Sequence, residues 1–64
     1  MVTINGTNID AAGMQLRQYL EQQGLHAGCI AIELNGHIVP RSTYDTVTLT
    51  DGDSVEIVHF VGGG

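Results

Sequence analysis

Basic residues are scarce: the 64-residue chain has two, Arg17 and Arg41, and no lysine, against seven acidic residues, for a formal net charge of −5. Without a basic patch a phosphate backbone has nothing to bind, so nucleic acid is excluded as a direct ligand. An acidic small protein is instead suited to being steered into a basic groove on a larger partner. Cysteine is limited to Cys29, so no internal disulfide can brace the domain. No stretch approaches the roughly 20 apolar residues that cross a bilayer. The opening MVTINGTNID has neither a basic n-region nor an apolar run of signal-peptide length. No membrane is expected as a partner, and the cytoplasm is the expected location. A domain this short buries only roughly 60% of the surface its unfolded chain exposes. An internal catalytic cavity is therefore disfavoured, and the expectation is a single domain that is not an enzyme on its own.

What is present reads as a folding chain, since 42% of its residues are hydrophobic and only 14% charged. Val2 and Ile4 alternate with polar neighbours, Asn5-Gly6 is a hairpin signal, and Thr7 to Ile9 forms a short return strand. Ala12, Leu16, Tyr19 and Leu20 share one face of a helix predicted over about residues 14–23, which Gly24 ends. Ile30, Ile32 and Leu34 alternate into a second hairpin signal at Asn35-Gly36, with His37 to Val39 as the partner strand. Pro40 ends that strand, Arg41 to Thr48 reads as a loop with room for one helical turn, and Asp51-Gly52-Asp53 turns the chain into a last strand. The last strand is apolar on both faces, with Val55 and Ile57 on one side and Val58 and Phe60 on the other. Such a strand belongs in the middle of a sheet or under a partner. The order β, β, α, β, β, β fits an α+β fold of the β-grasp type: a mixed sheet of four to five strands, one helix across one face, and the last strand parallel beside the first. The expected core is Val2, Ile4, Leu16, Leu20, Ile30, Ile32, Leu34 and Val55.

The division expected is a domain over 1–61 and a glycine tail over 62–64. Gly62, Gly63 and Gly64 form a backbone strip that no Cβ restricts, ending in a carboxylate, which a partner can thread through a narrow channel. The alternative is a frayed terminus. The segment Leu34-Asn-Gly-His-Ile-Val-Pro-Arg-Ser42, the run Asp51-Gly-Asp-Ser-Val-Glu-Ile-Val58 and the ending Phe60-Val-Gly-Gly-Gly64 resemble the ThiS family, sulfur carriers of thiamine biosynthesis. The resemblance spans essentially the whole chain. A terminal diglycine alone is shared with ubiquitin-like modifiers and the molybdopterin synthase small subunit. Two departures stand out: Gln15 precedes Leu16 where many relatives have Thr, and the ending has three glycines where two suffice.

The resemblance implies a β-grasp fold and a protein co-substrate. A ThiF-like adenylyltransferase uses ATP and Mg to adenylate the Gly64 carboxylate, and a persulfide from a donor such as a cysteine desulfurase then displaces AMP to leave a thiocarboxylate. Thiazole synthase takes the sulfur. Activation suits the chemistry, because a carboxylate is a poor electrophile and its mixed anhydride a good one. Nucleotide and metal belong to the partner, and the free carrier is expected to be a monomer. The absence of lysine is compatible with this, since an acyl adenylate reacts with nearby amines. Other readings are a carrier for molybdopterin or a thiolated nucleoside, a ubiquitin-like modifier, and an inert β-grasp interaction module.

Beside the tail, Val58, Phe60 and Val61 are the candidate partner-docking residues, since one face of the last strand is expected to lack the helix. The alternative is that the loop over 41–50 closes that face. Cys29 is expected to be a small buried apolar residue. His26 and Cys29 lack a third ligand for zinc, so no metal site is expected. His37 and His59 are placed on sheet surfaces, and Arg41 pairs with an acidic residue of its own loop or of a partner.

Overall fold

Both Asn-Gly pairs form the tight turns that the sequence predicts. Asn5 and Gly6 have φ of 50° and 82°, and Asn35 and Gly36 have 52° and 85°, the left-handed pair that matches the twist of a two-residue hairpin. The computed structural model describes residues 1–60. The first turn joins β1 (Val2–Ile4) to β2 (Thr7–Ile9), and the second joins β3 (Ile30–Leu34) to β4 (His37–Ile38). The last strand, β5 (Ser54–His59), lies between the hairpins in a five-stranded sheet of order β2-β1-β5-β3-β4. It runs parallel to β1 and antiparallel to β3. This is the expected β-grasp arrangement.

The turn asparagines also hold the central strand. Asn5 donates its backbone N–H to the Val55 carbonyl at 2.9 Å. Its side-chain amide then donates to the Ile57 carbonyl at 3.2 Å and accepts from the Ile57 N–H at 2.7 Å. The amide thus takes the place of a peptide group after β1 has turned away. On the other side, Asn35 accepts from the Ser54 N–H at 2.9 Å and donates to Asp53 at 3.0 Å.

The helix α1 is shorter than predicted, running over Leu16–Gln22. Residues 13–16 are instead tied to the loop before β5: Gly13 N–H donates to the Leu49 carbonyl, Leu49 N–H to the Met14 carbonyl and Leu16 N–H to the Val47 carbonyl, at 2.7, 2.8 and 2.8 Å. Gln15 is therefore extended and bridges Thr48. No side chain caps the helix; the Val47 and Tyr44 carbonyls accept the first N–H groups, from Leu16 and Arg17, which would otherwise be orphaned. The C-terminus is as predicted. Gly24 has φ of 70° and donates to the Glu21 carbonyl while Leu25 donates to that of Leu20, a full Schellman motif.

Seven of the eight expected core residues are buried: Val2, Ile4, Leu16, Leu20, Ile30, Ile32 and Val55. Leu34 is only partly buried, because it is the last residue of β3 beside the exposed turn. The loop after β4 begins with a 3-10 turn over Arg41–Thr43 and then supplies Tyr44 and Leu49, both at most 1% exposed, to the same core as α1. It thickens the helix side of the sheet and leaves the other side bare.

Leu20→Ala should cost about 2–5 kcal/mol, by lost transfer and a residual cavity, read by urea unfolding; a cost below that range would show that the site is not close-packed. Asp53 accepts hydrogen bonds from Asn35 and from the Thr50 N–H, which hold its carboxyl below the ordinary value of 3.8. Its contribution to stability is complete above the ordinary value and disappears as the pH falls through the lower folded value. Asp53→Asn should therefore flatten the acid limb of the stability curve, and an unchanged limb would contradict the assignment.

Candidate functional site

Alternation along β5 sends Val55 and Ile57 into the core, at 1% and 8% exposure, and Val58 and Phe60 outward, at 54% and 46%. Register extends this outward face across the sheet. Ala31 lies opposite Val58, Glu33 opposite Glu56 and, on its other side, opposite Ile38. Ile38 is 74% exposed, and both glutamates are exposed. On the β1 side the same face is polar, with Thr3 opposite Ser54 and Asn8. The face therefore presents Ile38, Val58 and Phe60 together with two carboxylates, with no helix or loop over it among the described residues. Exposed apolar residues grouped on one face of a sheet are the kind of surface on which a partner can dock.

Phe60 N–H donates to the Cys29 carbonyl at 2.8 Å, which secures the end of the central strand at the last described residue. Val61, named with Val58 and Phe60 as a docking residue, and the tail residues Gly62, Gly63 and Gly64 lie outside the described residues. The carbonyl that receives Phe60 belongs to a residue whose side chain departs from expectation. Cys29 is exposed rather than buried; it ends a 3-10 turn over Ala27–Cys29, and Ile30 takes the core position that follows. The strict alternation of Ile30 and Ile32 carries that signal, since it puts residue 29 on the outer side. The same alternation carries Ile38, which sequence reasoning passed over.

The helix side has a shallow groove of 330 Å³ lined by Ile9, Tyr19, Leu25 and Ile57, with Asn5 and His59 at its rim. Thr7 also lines it, but its hydroxyl makes no hydrogen bond to the His59 imidazole, and no group of three potential metal ligands occurs among the described residues. Arg17 pairs with Asp45, and Arg41 is exposed with no ion pair among the described residues. The chemistry supported by the described surface is recognition. No helix among the described residues is long and apolar enough to cross a membrane.

The sequence profile of the ThiS family matches residues 2–64. The chain belongs to the ThiS family. It is 35% identical over 68 residues to the sulfur carrier protein ThiS of Bacillus subtilis, covering 100% of both chains. Its structure resembles the crystal structure of the thiamine biosynthesis protein ThiS of Geobacter metallireducens, with a TM-score of 0.77 and 34% identity over 98% of this chain and 97% of that one. It is also 41% identical over 64 residues to a thiazole synthase of Paramagnetospirillum magneticum; there 98% of this chain corresponds to 20% of the relative's length. A ThiS-family domain is thus contained within an enzyme several times longer.

Phe60→Asp should cost no more than about 1 kcal/mol of stability, against about 3–5 kcal/mol for removing a buried Phe. Urea unfolding of the variant measures this, and a cost in the higher range would place Phe60 in the core rather than on a docking face.

Proposed function

We propose that the chain is a sulfur carrier of thiamine biosynthesis, a protein co-substrate whose reactive group is the Gly64 carboxylate. The observation that supports this most is the family match through residue 64, together with full-length similarity to a protein named as a sulfur carrier. An activating adenylyltransferase of the ThiF type docks on the open face around Val58 and Phe60, continued by Val61. Gly62 and Gly63 pass through its channel, whose narrowness favours residues without a Cβ. The carboxylate oxygen attacks the α-phosphorus of ATP and pyrophosphate leaves. ATP and Mg are held by that enzyme, and this chain contributes the acyl group. A persulfide from a donor such as a cysteine desulfurase displaces AMP to give an acyl disulfide, and a thiol then releases the thiocarboxylate as it forms a disulfide with the donor sulfur.

The acceptor enzyme is a thiazole synthase. Similarity to a segment of a thiazole synthase favours this acceptor over molybdopterin or a thiolated nucleoside, since fusion raises the effective concentration of partners that must meet. The free carrier is a cytoplasmic monomer.

Mass spectrometry of the intact protein, after incubation with the ThiF-type enzyme of the same organism, ATP, Mg and a persulfide donor, should show one oxygen replaced by sulfur at Gly64. Deleting Gly64 or substituting Gly63→Val should abolish the product while leaving the unfolding transition in place. Adducts on lysines of other proteins would assign the chain to the protein modifiers instead. An unmodified carboxylate in the presence of active enzyme and donor would refute the carrier reading.

A further inference from the structure

The register of β3 and β5 sets Glu33 directly opposite Glu56 on the open face, which brings their Cβ atoms to about 4.5–5.5 Å. Like charges so placed destabilise a sheet, and glutamate has little preference for strands in any case. Neither carboxylate forms an ion pair among the described residues, and Arg17, one of the two arginines, is engaged with Asp45. Neither accepts a side-chain hydrogen bond among them either. The pair thus has no ion-pair or side-chain hydrogen-bond role among the described residues, and it lies beside the apolar residues of the face, with Ile38 opposite Glu33 and Val58 two residues along from Glu56.

We infer that Glu33 and Glu56 are the charged centre of the docking face, and that the occupant is a partner protein whose apolar surface carries an arginine or lysine placed between the two carboxylates. This rests on the reading of the open face as the docking surface. The occupant's cation removes the repulsion between the carboxylates, while its apolar surroundings cover Ile38, Val58 and Phe60 and exclude the water that would screen the contact. Charge complementarity selects this occupant over a second copy of the chain. Two such faces brought together would confront four carboxylates, on a molecule whose formal charge is already −5. The pair thus gives the face a sign as well as a shape, which speeds encounter with a basic surface and rejects acidic ones.

The test compares three variants with the unsubstituted protein, using the purified ThiF-type adenylyltransferase of the same organism as the probe. Glu33→Gln/Glu56→Gln removes the pair, Asp10→Asn/Glu21→Gln removes the same formal charge from other exposed positions, and Phe60→Asp disrupts the apolar patch. Binding kinetics at low and high salt and thermal unfolding are read for each. The pair variant should be at least as heat-stable as the unsubstituted protein, yet bind about tenfold or more weakly with a flatter salt dependence. The charge-matched control should bind within about twofold of the unsubstituted protein. Unchanged binding by the pair variant, with binding lost in Phe60→Asp, would overturn the inference and leave the docking face standing. Unchanged binding by both would remove the docking face as well. Lowered heat stability of the pair variant would assign the carboxylates to the fold, and a dimer in sedimentation that Phe60→Asp abolishes would give the face to a second copy; either overturns the inference.

Discussion

The structure depends on how its last strand is held. Among the described residues, β5 is the strand with neighbours on both sides from separate hairpins, and neither hairpin can bury its apolar face alone. Parallel pairing with β1 and antiparallel pairing with β3 turn two marginal hairpins into one sheet on which α1 can pack. The parallel contact with β1 is short, with two residue pairs in register, and Asn5 lengthens it by lending an amide to the Ile57 backbone. Asn35 does the corresponding work at the other end of the strand. The two turn residues are thereby also the clamps of the central strand, and the segment that leads toward the glycines is anchored up to the bond from Phe60 to Cys29.

This arrangement divides the molecule by face. The loop over 41–50 adds Tyr44 and Leu49 to the side that already has the helix, which concentrates the small core where it closes best. A 64-residue chain has little apolar material to spare, yet Ile38, Val58 and Phe60 are left outside. Their exposure, beside two carboxylates that form no ion pair among the described residues, is what a recognition surface would have. Under the proposed function this is an economical division: one face makes the domain stable, the other would be left for partners, and the strand that contributes to both continues in sequence into the terminal glycines.

Much of this was legible in the sequence because its signals are local. Asn5-Gly6, Asn35-Gly36 and Gly24 require left-handed backbone, and all three have it. The two-sided apolar pattern of residues 55–60 predicts a central strand with an open face, which the exposures of Val58 and Phe60 bear out. What was missed depends on contacts distant in sequence. Nothing near Gln15 indicates that carbonyls from residues 44 and 47 will cap the helix and hold the preceding residues extended. Nothing in a threonine-rich loop marks Tyr44 and Leu49 as core. The pairing of Glu33 with Glu56 follows only from register, and the burial expected of Cys29 came from residue type where alternation argued the opposite.

The proposed docking of partners on the helix-free face of the sheet is open to direct measurement. Amide chemical-shift mapping of the isotopically labelled protein during titration with its activating enzyme tests this most directly. Docking on that face should perturb Ala31, Glu33, Ile38, Glu56, Val58, Phe60 and the terminal glycines, with the exposed side of α1, at Gln18, Glu21 and Gln22, unaffected. Perturbation concentrated on α1, with the amides of the open face unchanged, would contradict it.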